Sequence, residues 1–177
     1  MSLPVSTEAW IRSCRGRSIC VVGNAVFHRN WGEHIDSFDI VVRFNNYAIT
    51  GFEKEVGRKT TAWASYANLD GYLQPRAGLT TYSPFRCDAS ESGDACFPGA
   101  VYAVSDVHQL LGIARPTTGT ALLALFHQER VAATVVGFDF LRSGHYMKPS
   151  HRHTRDIHCE MNSEEKFVRG SHHFTLL

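Results

Sequence analysis

The sequence lacks the features that would place the protein in a membrane or on nucleic acid. No apolar run reaches 18 residues, so no transmembrane helix is predicted. Residues 1–5 do not combine a basic region with a long apolar stretch, so we also expect no signal peptide. Lys and Arg total 18 against 17 Asp and Glu, and so balanced a charge disfavours binding along a phosphate backbone. We expect a cytoplasmic protein without a nucleic-acid partner, and a peripheral membrane location stays open.

Cysteine is present five times, but never as a CxxC pair, so a zinc ribbon or a thioredoxin-type site is not predicted. An odd count without a secretion signal favours reduced thiols. Cys87 and Cys96 could close a small loop, but we expect both to be free. Most of the ten histidines lie beyond residue 107, where their spacing fits no closed zinc pattern. We therefore predict no metal site, and the late histidines become candidates for acid–base chemistry.

The apolar segments of the chain predict a parallel sheet. Residues 18–22 and 39–44 are short, β-branched runs, and the roughly sixteen residues between them can form a short helix. Such a pair indicates a βαβ unit with parallel strands. Further strands are predicted within 60–66, 79–85, 100–104 and 131–138, and helices within 106–113, 120–126 and 162–168.

Alternation of strands and helices is typical of an α/β fold. With 177 residues, of which 44% are apolar, the chain is long enough and apolar enough to bury one core. We predict a single domain over residues 1–177 with three layers and a mostly parallel, Rossmann-like sheet.

Three loops should open at the carboxyl edge of this sheet, where ligands bind in such folds. Gly23 would let a ligand approach the backbone. Asn24 and Asn45 offer donors and acceptors that suit a ribose or a base. The turn at 116–119 opens a helix, whose free N–H groups can bind phosphate. Each of these residues is also common in ordinary turns and helix caps, and neither a Walker-type loop nor a GxGxxG pattern is present.

In sequence order, residues 21–61 resemble the large sialyl motif of the animal-type sialyltransferases, glycosyltransferase family 29. The stretch reads VVGNAVFHRNWGEHIDSFDIVVRFNNYAITGFEKEVGRKTT. The positions that match the family pattern are Val21-Val22-Gly23-Asn24, Gly32, Ile35-Asp36, Asp39, Val41, Arg43, Asn45, Gly51-Phe52-Glu53, Val56-Gly57 and Lys59-Thr60-Thr61. Ala25 occupies a position where the family usually has Ser.

Shorter motifs of the same family follow. The segment from Pro116 to Phe138 is similar to the small sialyl motif, and His145-Tyr146 is similar to the third motif. His158 and Glu164 are similar to the last motif, H-x4-E, but with one extra residue between them. No cysteine pair matches the disulfide that usually joins the large and small motifs. The resemblance covers about residues 18–165.

The resemblance implies an inverting, metal-independent glycosyltransferase, which moves sialic acid from CMP-sialic acid to a hydroxyl of an acceptor glycan without a cofactor. It indicates a small bacterial member of the family. It implies that His158 is the general base and that His145 helps to stabilise the leaving phosphate; His151 and His153 are alternatives for the base. The nucleotide-sugar-binding residues that it implies are Gly23, Asn24, Asn45, Thr117, Thr118, Gly119 and Tyr146.

Three alternatives to this function remain open. The donor could be CMP-Kdo, since Kdo is another CMP-linked keto acid. The chain could also be a non-catalytic relative that only binds a CMP-sugar. An unrelated nucleotide-binding α/β enzyme is the third alternative, although no nucleophile elbow or cluster of metal-binding carboxylates supports it.

Overall fold

The computed structural model describes residues 4–66, 76–87, 98–147 and 160–177. Seven strands of this part form one sheet in the order β5-β4-β3-β2-β1-β6-β7, and every neighbouring pair is parallel. The strands are β1 (Ile19–Val22), β2 (Ile40–Phe44), β3 (Ala62–Ala64), β4 (Thr81–Ser83), β5 (Val101–Tyr102), β6 (Ala133–Val136) and β7 (Phe174–Leu176). The helices are α1 (Thr7–Ser13), α2 (Gly32–Asp36), α3 (Glu53–Val56), α4 (Val107–Leu111), α5 (Thr118–Gln128) and α6 (Met161–Gly170).

The two faces of the sheet pack against different helices. Alternate residues of a strand point to opposite faces, so Ile19 and Val21 join the core cluster that includes residues of α1 and α5. Cys20 and Val22 instead join Ile35 of α2 in a second cluster. The α/β fold with three layers and a parallel, Rossmann-like sheet, predicted from the sequence, is thus confirmed.

The central helix α5 is apolar along most of its length. Residues 120–126 are all buried, as expected for a helix that lies between the sheet and other helices. Its N-cap residue is Thr117, whose hydroxyl accepts a hydrogen bond from the N–H of Thr120 at 3.3 Å. None of the helices in the described part of the chain has the length and apolar character needed to cross a bilayer.

The cysteine prediction is partly wrong. Cys14 and Cys20 are free and buried, and burial raises the pKa of Cys20 to about 12. Cys87, however, is disulfide-bonded, and Cys96 lies outside the described residues. Cys87 follows β4 in an exposed loop, where another cysteine can approach it without disturbing the core. An odd number of cysteines therefore does not exclude a disulfide between two of them.

Arg43 connects β2 to the loop that follows α3. It is fully buried, and its Nη2 donates to the carbonyl oxygens of Val56 at 2.6 Å and Lys59 at 3.0 Å. Burial lowers the pKa of this guanidinium because its charge is removed from water. Asp36 fixes the same loop from the other side, since its Oδ1 accepts from the backbone N–H groups of Arg58 and Lys59, each at 2.8 Å. These charged side chains therefore hold the loop after α3 in place through hydrogen bonds to its backbone.

We expect Arg43→Leu to lower the free energy of unfolding by about 3 kcal/mol, because several buried carbonyl groups would lose their donors. Arg58→Leu is the control, since Arg58 lies in the same loop, is exposed, and bonds to Asp36 through its backbone. The free energy of unfolding of Arg58→Leu should stay within about 0.5 kcal/mol of the value for the unchanged protein. Urea denaturation of both variants measures the difference, and equal losses would contradict this role of Arg43.

Candidate functional site

A cleft of about 420 Å³ opens at the carboxyl edge of the sheet. It extends across the ends of five adjacent strands, from β6 over β1, β2 and β3 to β4. The direction of strand succession reverses between β1 and β6, and such a reversal leaves a crevice in which open α/β sheets bind ligands. The position of the cleft is thus the one expected for a nucleotide.

Most of the site residues that the sequence predicts lie together in this cleft. Those that line it are Gly23, Asn24, Asn45, Thr117, Thr118, Gly119 and His145. Tyr146 is not among the lining residues. His158 lies outside the described residues, as do His151 and His153, so the general base stays a prediction.

The two predicted asparagines are oriented by hydrogen bonds. The Nδ2 of Asn24 donates to the carbonyl oxygens of Phe44 at 3.3 Å and Asn46 at 3.2 Å. The Nδ2 of Asn45 lies 3.5 Å from the Oγ1 of Thr118, and its Oδ1 is buried without a partner in the described residues. Asn45 also has a left-handed backbone, with φ at 43°. A buried oxygen without a donor is costly, so the Asn45 side chain is suited to accept a hydrogen bond from a ligand.

The start of α5 differs from a free helix N-terminus. The buried carboxylate of Glu164 accepts from the N–H of Thr117 at 2.7 Å and from the hydroxyls of Thr117 and Thr120 at 2.7 Å and 2.6 Å. Within the described part of the chain, the N–H groups of Thr118 and Gly119 have no acceptor. The helix start therefore combines two available donors with an internal negative charge.

Tyr146 stabilises the wall of the cleft from behind. Its hydroxyl donates to the carbonyl oxygen of Ala48 at 2.5 Å and accepts from the N–H of Ala48 at 2.9 Å. Its ring packs edge-on against Phe27 and Phe52. Burial raises the pKa of Tyr146. The hydroxyl is engaged with the backbone, so Tyr146 supports the segment that follows Asn45.

The structure shows a packing reason for Gly23, and the close approach of a ligand to its backbone stays a prediction. A Cβ at Gly23 would lie well inside the contact distance of the carbonyl oxygen of Gly137, and 2.7 Å from the Phe138 ring. A Cβ at Gly119 would also lie 2.7 Å from that ring. The contact at Gly23 is with rigid backbone, whereas the contact at Gly119 is with a side chain that could shift. The protein's own packing is therefore a sufficient reason for glycine at position 23.

Charges in the cleft are unevenly distributed. Among the described residues, its lining includes the carboxylates of Asp139 and Glu164 but neither Lys nor Arg. Histidine is the side chain type that can gain a positive charge near neutral pH, and the histidine in the described lining is His145. Among the described lining residues, this histidine and the dipoles of polar groups are the features that could stabilise a phosphate. The described residues also form no group of three or more His, Cys, Asp or Glu side chains that could bind a metal ion.

Several lining residues were missed by the sequence reasoning. They are Tyr66, Phe85, Asp139 and Ser143. Tyr66 and Phe85 follow β3 and β4, so extending the prediction for the carboxyl edge to these two strands would have included them. The N–H of Ser143 donates to Asp139 Oδ2 at 2.5 Å, a local loop contact that no sequence pattern indicates.

Comparison with known proteins identifies relatives for the first part of the chain. Residues 5–75 match the model of the family described as Glycosyltransferase family 29 (sialyltransferase). A CMP-N-acetylneuraminate-beta-1,4-galactoside alpha-2,3-sialyltransferase of Homo sapiens is 45% identical over 56 residues, which are 30% of this chain and 15% of the relative. A beta-galactoside alpha-2,6-sialyltransferase 2 of Rattus norvegicus is 43% identical over 51 residues, 29% of this chain and 9% of the relative. The matches to these relatives cover at most 15% of their length.

The fold is similar over nearly the whole chain to a solved structure. This structure is a mammalian sialyltransferase in complex with Gal-beta-1-3GalNAc-ortho-nitrophenol, with a TM-score of 0.61 and 20% sequence identity. The similarity covers 96% of this chain and 72% of the other. The match of residues 5–75 to the family model confirms the resemblance predicted from the sequence for that part of the chain, and the solved structure shows that the fold is shared.

We expect Gly23→Ala to lower the free energy of unfolding by about 2 to 3 kcal/mol without any ligand, because the added methyl group meets rigid backbone at Gly137. Gly170→Ala is the matched control, since a Cβ there meets open space near the end of α6. That control should be neutral or slightly stabilising. Thermal denaturation compares the two, and a Gly23→Ala protein as stable as the control would contradict the packing explanation.

Proposed function

Because the chain is related to the sialyltransferases of glycosyltransferase family 29, we propose that it transfers sialic acid from CMP-sialic acid to a hydroxyl of an acceptor glycan. The observation that carries the proposal is the convergence of Asn24, Asn45, Thr118 and His145 on one cleft at the carboxyl edge of the sheet. Their polar groups fit a nucleotide, and the fold similarity to a sialyltransferase is consistent with a CMP-sugar.

The nucleoside is proposed to lie against the asparagines and the start of α5. The Oδ1 of Asn45 is buried without a donor, and the amide nitrogen of Asn24 is already engaged with backbone oxygens. Both side chains therefore offer oxygen acceptors. The ribose hydroxyls and the amino group of cytosine are donors of the matching kind.

The phosphate is proposed to lie toward His145 and away from Glu164. A buried carboxylate at the start of α5 weakens the attraction of that helix end for a second anion. His145 lies beside Ala25, to which it forms an antiparallel bridge, and it can carry a positive charge. The negative charge that develops on the leaving phosphate is thus best stabilised on this side.

In the proposed reaction, the acceptor oxygen bonds to the anomeric carbon of the sugar while the bond from that carbon to the phosphate oxygen breaks. The electron pair of the broken bond leaves with CMP, and a general base takes the hydroxyl proton. His158 remains the proposed base, with His151 and His153 as alternatives. Inversion, independence of metal and a cytoplasmic location are parts of the proposal.

The proposal is tested by mass spectrometry of the products formed from CMP-sialic acid or CMP-Kdo with a panel of glycans. We expect a sialylated product, and we expect His145→Ala to lower turnover about 100-fold, since the departing phosphate would lose a donor. His34→Ala, an exposed histidine on α2, is the control. If only Kdo is transferred, the donor is CMP-Kdo and the proposal of CMP-sialic acid is wrong. If the protein binds CMP but forms no product, the proposed catalysis is contradicted and a binding-only relative is favoured.

Asn45→Gly tests the nucleoside site. Glycine tolerates the left-handed backbone at this position, so the fold should be retained while the amide is lost. We expect the Kd for CMP to rise about tenfold in calorimetric titration. Asn30→Gly, at an exposed loop position, should bind CMP as the unchanged protein does. If Asn45→Gly binds CMP with unchanged affinity, the proposed role of Asn45 in the nucleoside site is contradicted.

A further inference from the structure

We propose that Glu164 is a positioning residue for nucleotide binding, because it determines which polar groups at the start of α5 remain for a ligand. The inference rests on the proposed CMP-sugar site. It gives Glu164 no part in bond making or breaking. Glu164 acts through Thr117 and Thr120, which belong to the turn and the first helical residues at the border of the cleft.

The carboxylate of Glu164 is 2% exposed and is surrounded by donors from α5. Its Oε1 accepts from the backbone N–H of Thr117 at 2.7 Å. Its Oε2 accepts from the hydroxyls of Thr117 at 2.7 Å and Thr120 at 2.6 Å. Glu164 forms no ion pair with a described residue. Among the described residues, the contacts that stabilise this buried charge are thus the three hydrogen bonds.

Simple helix capping does not account for this arrangement. The α5 helix already has an N-cap, because the N–H of Thr120 donates to the hydroxyl oxygen of Thr117. The Thr117 hydroxyl also lies 3.1 Å from the Thr120 hydroxyl, but the shorter distances of 2.7 Å and 2.6 Å favour the Glu164 carboxylate as the acceptor for both hydroxyl hydrogens. The N–H groups that have no acceptor in the described structure are then those of Thr118 and Gly119. Glu164 thereby selects the donors that a nucleotide can use.

The same contacts fix the position of the helix relative to the cleft. Glu164 lies on α6, and Thr117 and Thr120 lie 47 and 44 residues earlier in the chain. A shift of α5 along its axis would lengthen at least one of three hydrogen bonds that are all 2.7 Å or shorter. We therefore expect loss of Glu164 to affect nucleotide affinity more than overall stability.

Four single variants separate positioning from a purely structural role. Glu164→Gln removes the charge at nearly constant size, and Thr120→Val removes one hydroxyl donor at nearly constant shape. Thr120→Ser keeps that hydroxyl and is the conservative rescue. Glu129→Gln is the matched control, since Glu129 is another buried carboxylate, located at the far end of α5, where it binds Arg12 at 2.9 Å.

The primary measurement is calorimetric titration with CMP. We expect the Kd to rise about tenfold in Glu164→Gln and in Thr120→Val, and to stay within about twofold of wild type in Thr120→Ser and Glu129→Gln. The double variant Glu164→Gln/Thr120→Val should be less than additive, because both changes break one shared hydrogen bond. Equal affinity of wild type, Glu164→Gln and Thr120→Val, whatever their stability, would overturn the proposal.

Amide hydrogen exchange without ligand provides the second readout. Exchange at Thr117 and Thr120 should accelerate in Glu164→Gln but not in Glu129→Gln. A wild-type protein that does not bind CMP would overturn the proposed function, and the exchange data would still test the positioning of α5. Wild-type binding with unchanged exchange and affinity in Glu164→Gln would overturn the positioning alone. If Glu164→Gln fails to fold, the affinities of Thr120→Val and Thr120→Ser for CMP test the positioning role instead. Equal affinities of these two variants would then overturn it.

Discussion

The close pairing of the chain after β1 with the chain after β6 shapes the whole cleft. The ladder continues past both strands, since the N–H of Gly23 donates to Val136 at 2.7 Å and that of Ala25 to Gly137 at 3.1 Å. Only glycine at position 23 allows this approach beneath the Phe138 ring. Asn24 is thereby placed beside the end of β2, where its amide reaches Phe44 and Asn46.

The cleft stabilises charge by local means. Its described lining has two carboxylates and one histidine, and the charged side chains of Arg43 and Asp36 in the large motif bond to the backbone of the loop after α3. Within the described lining, an anionic donor would therefore meet backbone N–H groups, amides and His145. Such a site depends on exact placement of dipoles, because a dipole loses its effect within a short distance. This dependence is the reason that the contacts of Glu164 and Tyr146 matter.

The sheet and much of the site could be predicted from the sequence because both follow from local patterns. Buried β-branched runs at β1 and β2 gave the βαβ unit, and the rule of the carboxyl edge brought Asn24 and Asn45 together. The remaining features depend on contacts between distant residues. A side chain at position 23 would meet the backbone of Gly137 and the Phe138 ring, and the hydroxyl of Tyr146 is engaged with Ala48. The carboxylate of Glu164 reaches α5 across more than 40 residues, and α1 was missed because seven residues give a weak periodic signal.

We propose that one cleft binds CMP with its phosphate toward His145 and its nucleoside against Asn24, Asn45 and the start of α5. A crystal structure of the protein with CMP tests this binding mode. We expect the phosphorus atom to lie nearer to the His145 ring than to the Glu164 carboxylate, and the Oδ1 of Asn45 to accept a hydrogen bond from the nucleoside. CMP bound outside the cleft, or with its phosphate on the N–H groups of Thr118 and Gly119 beside Glu164, would contradict this binding mode.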